Sequence, residues 1–354
     1  MSRFFSPRFA ALTPYTPGEQ PRDKKYVKLN TNESPYDVPE SVVRAAEAAA
    51  RDFRLYPDPT CLALSKALGR AEGIDPDRVV WGNGSDELLN FAFMAYCDGN
   101  TPAVFPDITY GFYPVFAAVN RVPTRIIPLR EDFSVDLATM MKTPGTVFLA
   151  NPNAPTGIAL SRDQVERLVR SDPDRMVVVD EAYVDFGAET SAPLTEKYKN
   201  LLVIRTFSKS RSMAGARIGY AIGDPELIQD LETLRYANNP YNLSRVAIAA
   251  GEAMLEEEKL MRERCAAVAS TREETSRALA DLGFVLTPSR SNFLFARHPA
   301  LDGGKFYRDL KDRGILVRHF DLPRIKDYVR VTVGSPEDME TFVKSVRSIL
   351  EDEK

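Results

Sequence analysis

Apolar and polar positions fall into three textures along the chain. Through residues 1–35 no period holds, because Pro7, Pro14, Pro17, Gly18, Pro21 and Pro35 interrupt every run. That stretch reads as an irregular arm lying over another surface, within reach of a neighbouring subunit. From Pro39 the apolar positions take helical spacing in PESVVRAAEAAARDF and again in CLALSKALGRAEG, which closes on Gly73. Short strand-like runs then alternate with helical ones: VVW, SDELLNFAFMAYC, AVF, TYGFYPVFAAV, RIIPL, TVFLAN, SRDQVERLVR, MVVVD, LLVIRTF and ARIGYAIG. The strand-like runs are apolar without alternation, as in strands covered on both faces, and the helices between them are the crossovers that parallel pairing needs. An α/β domain with a mostly parallel central sheet is therefore expected over residues 36–245. A helical tract over roughly 243–281 follows. NFLFAR, a helix at GKFYRDLKDRG, strands at ILVRHF and YVRVTVG, and an amphipathic helix PEDMETFVKSVRSILEDE then predict a smaller α+β domain over 246–354. There is no internal repeat.

Composition narrows the chemistry. With 354 residues, 44% hydrophobic and 27% charged, the chain has ample core for two domains, and a net charge of −4 argues against a nucleic-acid or anionic-membrane surface. Small molecules are the expected partners. No window approaches the ~18 apolar residues of a membrane span, and the opening MSRFFSPRFAALTP has arginines and prolines where a secretory leader needs an apolar core. Cys61, Cys97 and Cys265 are odd in number and far apart, which reads as reduced thiols of a soluble cytoplasmic protein. The only histidines are His298 and His319, too few for a zinc cluster or a serine-histidine triad, so no metal is expected.

The stretch TFSKSRSMAGARIGY sets Lys209 between two apolar runs. A lysine buried there has its pKa pushed down, and a neutral amine condenses with an aldehyde. An exposed loop lysine is the commoner alternative. Thr206 and Ser208 add hydroxyls and Arg217 a planar fork, a grouping that suits an aldehyde bearing a phosphate. In MVVVDEAY, Asp180 ends a strand and Tyr183 follows three residues on. A carboxylate at the carboxyl end of a parallel strand meets bound ligands, and it can keep a pyridine nitrogen protonated. A helix cap or a Mg²⁺ ligand are the other readings of Asp180. In VVWGNGSDELL, the amides of Gly84, Ser85 and Asp86 open a helix where a phosphate binds, although GNGSDE lacks the third glycine of a dinucleotide fingerprint. Tyr110 after AVF is placed to stack on a flat ring or to fill the core.

Together TFSKSRSMAGARIGY, VVVDEAY, NPNAPTG, GNGSDELL, YPDP, LNTNESPY and VRVTVG fall in the order and spacing of pyridoxal-phosphate aminotransferases of fold type I. From LTPYTPGEQP to the last helix the chain resembles that family, and within it the histidinol-phosphate aminotransferase branch. The resemblance implies that Lys209 is the Schiff-base lysine and proton carrier, that Asp180 pairs with the pyridine nitrogen and Tyr183 with the ring hydroxyl, and that Tyr110 stacks on the ring. It implies that Gly84, Ser85, Asp86, Thr206, Ser208 and Arg217 hold the phosphate, joined by Tyr56 from the second subunit of a homodimer. For substrate it implies Arg330 on a carboxylate, Arg318 and Tyr15 on a phosphate, and Asn32 and Asn292 as further polar contacts. Surface ion pairing is the competing reading of both arginines.

One position departs from the pattern. Where the family has asparagine before PTG, this chain has Ala154, so either Asn153 swings in or Tyr183 serves the ring oxygen alone. Arg211 adds a charge beside the lysine with no evident purpose. The implied activity is amino transfer between histidinol phosphate and 2-oxoglutarate. An aromatic aminotransferase and a threonine-phosphate decarboxylase are the near alternatives. An NAD-dependent oxidoreductase lacks its glycine fingerprint here, and a regulator built on this fold would need a DNA-reading domain, for which the ~35 residues ahead of the first helix are too few.

Overall fold

The computed structural model describes residues 2–353. The elements follow in chain order. The first are β1 (Val27–Lys28), α1 (Glu40–Ala50), α2 (Leu62–Glu72), β2 (Val79–Asn83), α3 (Ser85–Tyr96), β3 (Ala103–Pro106), α4 (Tyr113–Asn120) and β4 (Thr124–Ile127). Next come α5 (Leu137–Lys142), β5 (Thr146–Ala150), α6 (Arg162–Arg170), β6 (Val177–Asp180), β7 (Leu201–Thr206), β8 (Ile218–Ile222) and α7 (Pro225–Asn238). The last third holds α8 (Arg245–Leu255), α9 (Glu258–Asp281), β9 (Val285–Leu286), β10 (Phe293–Arg297), α10 (Gly303–Asp312), β11 (Ile315–Leu316), β12 (Arg318–His319), β13 (Val329–Thr332) and α11 (Pro336–Asp352).

Seven strands form one sheet in the order β2-β8-β7-β6-β5-β3-β4, parallel throughout except for β8, which runs antiparallel to both its neighbours. The mostly parallel sheet expected from the sequence is thus present. Strands β5, β6 and β7 are buried along their whole length because helices cover both faces, so apolar residues occur at every position rather than at alternate ones. The edge strand β4 is exposed at three of its four residues. Phe91, Phe93, Phe148 and Ile204 belong to the core on one face; Val165, Leu168, Val179 and Val203 belong to the core on the other.

A second sheet, β12-β13-β10-β9, is antiparallel and lies in the C-terminal part with α9, α10 and α11. A third core runs between the two regions, from Leu64 and Trp81 through Ile248 and Val268 to Val331 and Val346. Its polar member is satisfied: Trp81 Nε1 donates to Ser65 Oγ at 2.8 Å.

Two expectations change in detail. The helical tract over 243–281 is two helices, α8 and α9, separated at Glu256 and Glu257. No proline or glycine marks the break; it lets α8 pack on α1 and α2 while α9 packs on α11 and β10. ILVRHF is likewise two short strands. Ile315–Leu316 pair in parallel with Val27–Lys28 from the arm, and Arg318–His319 pair with β13.

Candidate active site

The carboxyl ends of β3, β5, β6 and β7 lie along one edge of the large sheet, because these strands are parallel. At the same edge the antiparallel β8 begins, so Arg217, the residue before it, is brought to the end of β7 although it lies eleven residues beyond Thr206. A cavity of about 620 Å³ opens there, walled by Tyr15, Asp180, Tyr183, Lys209, Arg318 and Arg330 among others. Gly84 is not one of its lining residues, but Ser85, Asp86, Tyr110, Thr206, Ser208 and Arg217 are.

At one end sits the start of α3. Gly84 occupies its N-cap with no side-chain cap, which leaves the amides of the first turn to other partners. The turn is tied to β8 by Gly84 N–H donating to the Arg217 carbonyl at 2.9 Å. Arg217 itself holds a left-handed backbone, φ 55°, an arrangement costly for a residue with a Cβ and typical of functional sites. Its Nη1 reaches Ser208 Oγ at 3.5 Å and its Nη2 pairs with Asp86 Oδ2 at 3.3 Å. Thr206 Oγ1 donates to Ser208 Oγ at 2.9 Å, and Asp86 Oδ1 accepts from the Tyr110 hydroxyl at 2.7 Å. Close approach is obligatory here: a Cβ on Gly219 would collide with the Gly84 carbonyl carbon and the Ser85 nitrogen.

Lys209 lies deeper. Its Nζ donates to the Thr31 carbonyl at 3.0 Å and stands 6.0 Å from the centre of the Tyr183 ring. Burial, with help from the Arg330 charge, pushes its pKa down to about 8. Asp180 is 5% exposed; its Oδ1 accepts from Ala182 N–H at 3.1 Å and its Oδ2 from the Tyr113 hydroxyl at 3.3 Å. Desolvation raises its pKa to about 7. Tyr113, which the sequence reading passed over, is therefore part of the site; its signal is its place three residues beyond Tyr110 in the same segment.

The arm and the C-terminal sheet close the other end. Tyr15 stacks on Phe112 with ring centres 4.3 Å apart, so the arm lies over its own chain's cavity. Arg318 holds the arm through the Thr16 and Pro17 carbonyls, at 2.8 and 3.0 Å. Arg330 donates to the Asn30 carbonyl at 3.1 Å, while its Nε is buried without an acceptor among the described residues. Burial lowers its pKa. Arg330 lines the cavity as a buried cation, which is costly until an anion pairs with it.

Besides Gly84, which borders the cavity through its neighbour Ser85, three predicted residues do not line it. Asn153 faces away: its Nδ2 donates to the Ile108 carbonyl and to Thr156 Oγ1, both at 3.0 Å, and its Oδ1 accepts from Thr109 at 2.8 Å. It does not swing in to replace the side chain lacking at Ala154. Asn292 lies behind the wall, with Nδ2 donating to the Asn32 carbonyl at 3.0 Å. Tyr56 is 75% exposed and stacks on Tyr241, with ring centres 4.4 Å apart, away from the cavity of its own chain. Asn32 does line the cavity, and its Nδ2 donates to the Tyr183 hydroxyl at 3.0 Å. Arg211 is also accounted for: it is buried against Phe207, paired with Glu72 at 2.7 Å and with Glu258, and has no part in the cavity wall.

An amine of lowered pKa, a protonatable carboxyl, an anion nest and two arginines in one cavity are equipped to hold a phosphorylated aldehyde and move protons beside it. Residues 24–346 match the family described as aminotransferase class I and II. A histidinol-phosphate aminotransferase of Marinomonas sp. (strain MWYL1) is 45% identical over 354 residues, covering 99% of this chain and all of the relative. Histidinol-phosphate aminotransferase 1 of Bordetella parapertussis is 46% identical over 353 residues, 99% of each chain. Among solved structures, the histidinol-phosphate aminotransferase of Sinorhizobium meliloti in complex with pyridoxal-5′-phosphate superposes with a TM-score of 0.87 at 26% identity, covering 99% of each chain. With this fold, this cavity and these relatives, the chain belongs to the aminotransferase class I and II family.

Proposed function

We propose that the protein is a pyridoxal-phosphate-dependent aminotransferase converting histidinol phosphate and 2-oxoglutarate to imidazole-acetol phosphate and glutamate, a step of histidine biosynthesis. The observation that carries this reading is the meeting, in one cavity, of the Lys209 amine, the buried Asp180 carboxyl and the uncapped start of α3 beside Arg217. Two relatives named histidinol-phosphate aminotransferase, 45% and 46% identical along the whole chain, support the choice of substrate.

The residues fit the cofactor. The amides of Gly84, Ser85 and Asp86, the hydroxyls of Ser85, Thr206 and Ser208, and Arg217 would hold its phosphate, in a nest whose close packing excludes a Cβ at Gly219. Asp180, with a pKa near 7 in the cofactor-free protein, would hold the proton on the pyridine nitrogen, and Tyr110 would lie on the ring face. When bound through its aldehyde to an amine, with the pyridine protonated, the cofactor acts as an electron sink that makes the substrate Cα–H acidic. Lys209, its pKa lowered to about 8, would carry the proton between the substrate Cα and the cofactor C4′. Arg330 would hold the glutamate carboxylate in one half-reaction, and Arg318 and Tyr15 would add their contacts to the substrate phosphate in the other. The two half-reactions share one site, so the order would be ping-pong.

We further propose a cytoplasmic homodimer in which Tyr56 of the partner subunit completes the phosphate site. The three unpaired, buried cysteines and the exposed Tyr56 support this. Among the described residues no helix is long and apolar enough to cross a membrane. Residues 36–245 would form the large domain and 246–354 the small one, with the arm over 1–35. The test adds glutamate to the protein loaded with pyridoxal phosphate, which should convert its visible absorption to that of the amine form. Histidinol phosphate with 2-oxoglutarate should then turn over in preference to phenylalanine. A spectrum that glutamate leaves unchanged, or carbon dioxide released from threonine phosphate, would overturn the reading.

A further inference from the structure

The loop over residues 151–157 contributes Pro152, Ala154 and Pro155 to the cavity wall, none of which has a side-chain donor. Its nearest amide, Asn153, is fully engaged with Ile108, Thr156 and Thr109. The hydroxyl of Tyr183, whose ring centre lies 6.0 Å from Lys209 Nζ, is then a donor that remains on this side of the cavity, and a phenol has one hydrogen to give. The direction of that hydrogen can be read from a chain of hydrogen bonds that starts at a backbone N–H, whose polarity is beyond choice.

Asn32 N–H donates to Thr332 Oγ1 at 2.9 Å. The buried Thr332 hydroxyl has no other acceptor among the described residues, so its hydrogen goes to Asn32 Oδ1, at 3.0 Å; the opposite amide orientation would leave that hydrogen unmatched. That fixes the Asn32 amide with its oxygen toward Thr332 and its nitrogen toward Tyr183, where Nδ2 donates to the phenol oxygen at 3.0 Å. The Tyr183 oxygen is an acceptor in this contact and makes no other hydrogen bond among the described residues, so its hydrogen turns to the cavity that Tyr183 lines. The geometry is held firmly. Asn32 adopts the left-handed backbone, φ 57°, which asparagine tolerates better than most residues, and Asn292 clamps its carbonyl at 3.0 Å. The adjacent Thr31 carbonyl holds Lys209, so two neighbouring arm residues set both groups.

We infer that Asn32 is a positioning residue which, oriented by Thr332, turns the Tyr183 hydroxyl hydrogen into the cavity so that Tyr183 alone donates to the phenolic oxygen of bound pyridoxal phosphate. The inference rests on the cofactor proposed above and reassigns Asn32 from the substrate contact expected of it. Burial keeps the Tyr183 phenol above its ordinary pKa, so the hydrogen is present at neutral pH.

The test titrates the visible absorption of the loaded, substrate-free protein against pH. A donor stabilises the phenolic oxygen most when no neighbouring proton shares its charge, so losing the donor raises the pH at which the absorption titrates. Tyr183→Phe should raise that midpoint by about one pH unit, and Asn32→Ala and Thr332→Val should raise it in the same direction. Thr332→Ser should restore the wild-type midpoint. The double variant Asn32→Ala/Tyr183→Phe should move no further than Tyr183→Phe, because the two act through one contact. Should Asn32→Ala fail to fold, the two Thr332 variants test the same relay one bond earlier. A wild-type midpoint in Thr332→Val or Asn32→Ala while Tyr183→Phe shifts, or additive shifts in the double variant, would overturn the inference alone. A protein with Lys209 intact that develops no visible absorption with pyridoxal phosphate would overturn the cofactor reading and this inference with it.

Discussion

Single residues in this site owe their chemistry to desolvation. Lys209 is pushed down to about 8 by burial, so the fraction of free amine rises as pH climbs through 8 and levels off above it. Capture of pyridoxal phosphate by the cofactor-free protein, followed by stopped-flow absorbance, should accelerate to a plateau near pH 9; an amine with the ordinary lysine pKa would still be gaining speed there. Lys209→Ala should lower turnover by at least roughly 10³-fold. Asp180 is shifted the opposite way, to about 7. Between the ordinary carboxylate value and 7 the cofactor-free native protein keeps a proton that the unfolded chain releases, so stability falls as pH rises through that window. Asp180→Asn should therefore stabilise the cofactor-free protein at pH 8 by about 1–3 kcal/mol in urea unfolding, while lowering turnover by at least roughly 10²-fold. Lys209, Asp180 and Arg217 were legible because each has an unusual residue type for an apolar setting. The fate of Asn153 was not, because its amide is engaged by the carbonyl of Ile108, forty-five positions away.

The site is assembled at the ends of elements. Parallel β6 and β7 bring Asp180 and Thr206 to one edge, and the reversal at β8 returns Arg217 to it. The contact of β8 with the start of α3 is the tightest joint in this arrangement. Gly219→Ala should push the Gly84–Ser85 peptide outward, at a cost of about 1–3 kcal/mol, and loosen retention of the cofactor. Thermal unfolding and equilibrium dialysis of the loaded protein would measure the two effects, and an unchanged affinity would show that the nest does not depend on this joint. Most strands and helices over residues 40–222 were readable from periodicity, since the inner ones are covered by their neighbours in the ordinary α/β way; the six-residue α5 was not, being too short to show a helical period. The division of ILVRHF was not: a run of one texture pairs with two different strands, and only the docking of the arm decides where it changes partner.

At the scale of the molecule, the cavity is built from all parts of the chain: Tyr15 from the arm, Lys209 from the loop after β7, and Arg318 and Arg330 from the C-terminal sheet. Tyr56 stands outside it, exposed beside Tyr241. If Tyr56 serves the neighbouring site, mixing Lys209→Ala protein with Tyr56→Ala protein creates heterodimers with one intact site, and activity should rise well above either parent. Mixtures no more active than their parents, under conditions where subunits exchange, would place Tyr56 outside the site. The pattern of residues by itself determined the sheet type and marked Lys209 and the start of α3 as candidate site groups, because these follow from local periodicity and from residue types whose burial has few explanations. Only the tertiary structure decided which amides face the cavity, where Arg211 goes, and that Asn32 governs Tyr183. Those outcomes depend on hydrogen bonds between residues as much as 300 positions apart, and a one-dimensional pattern holds no record of them.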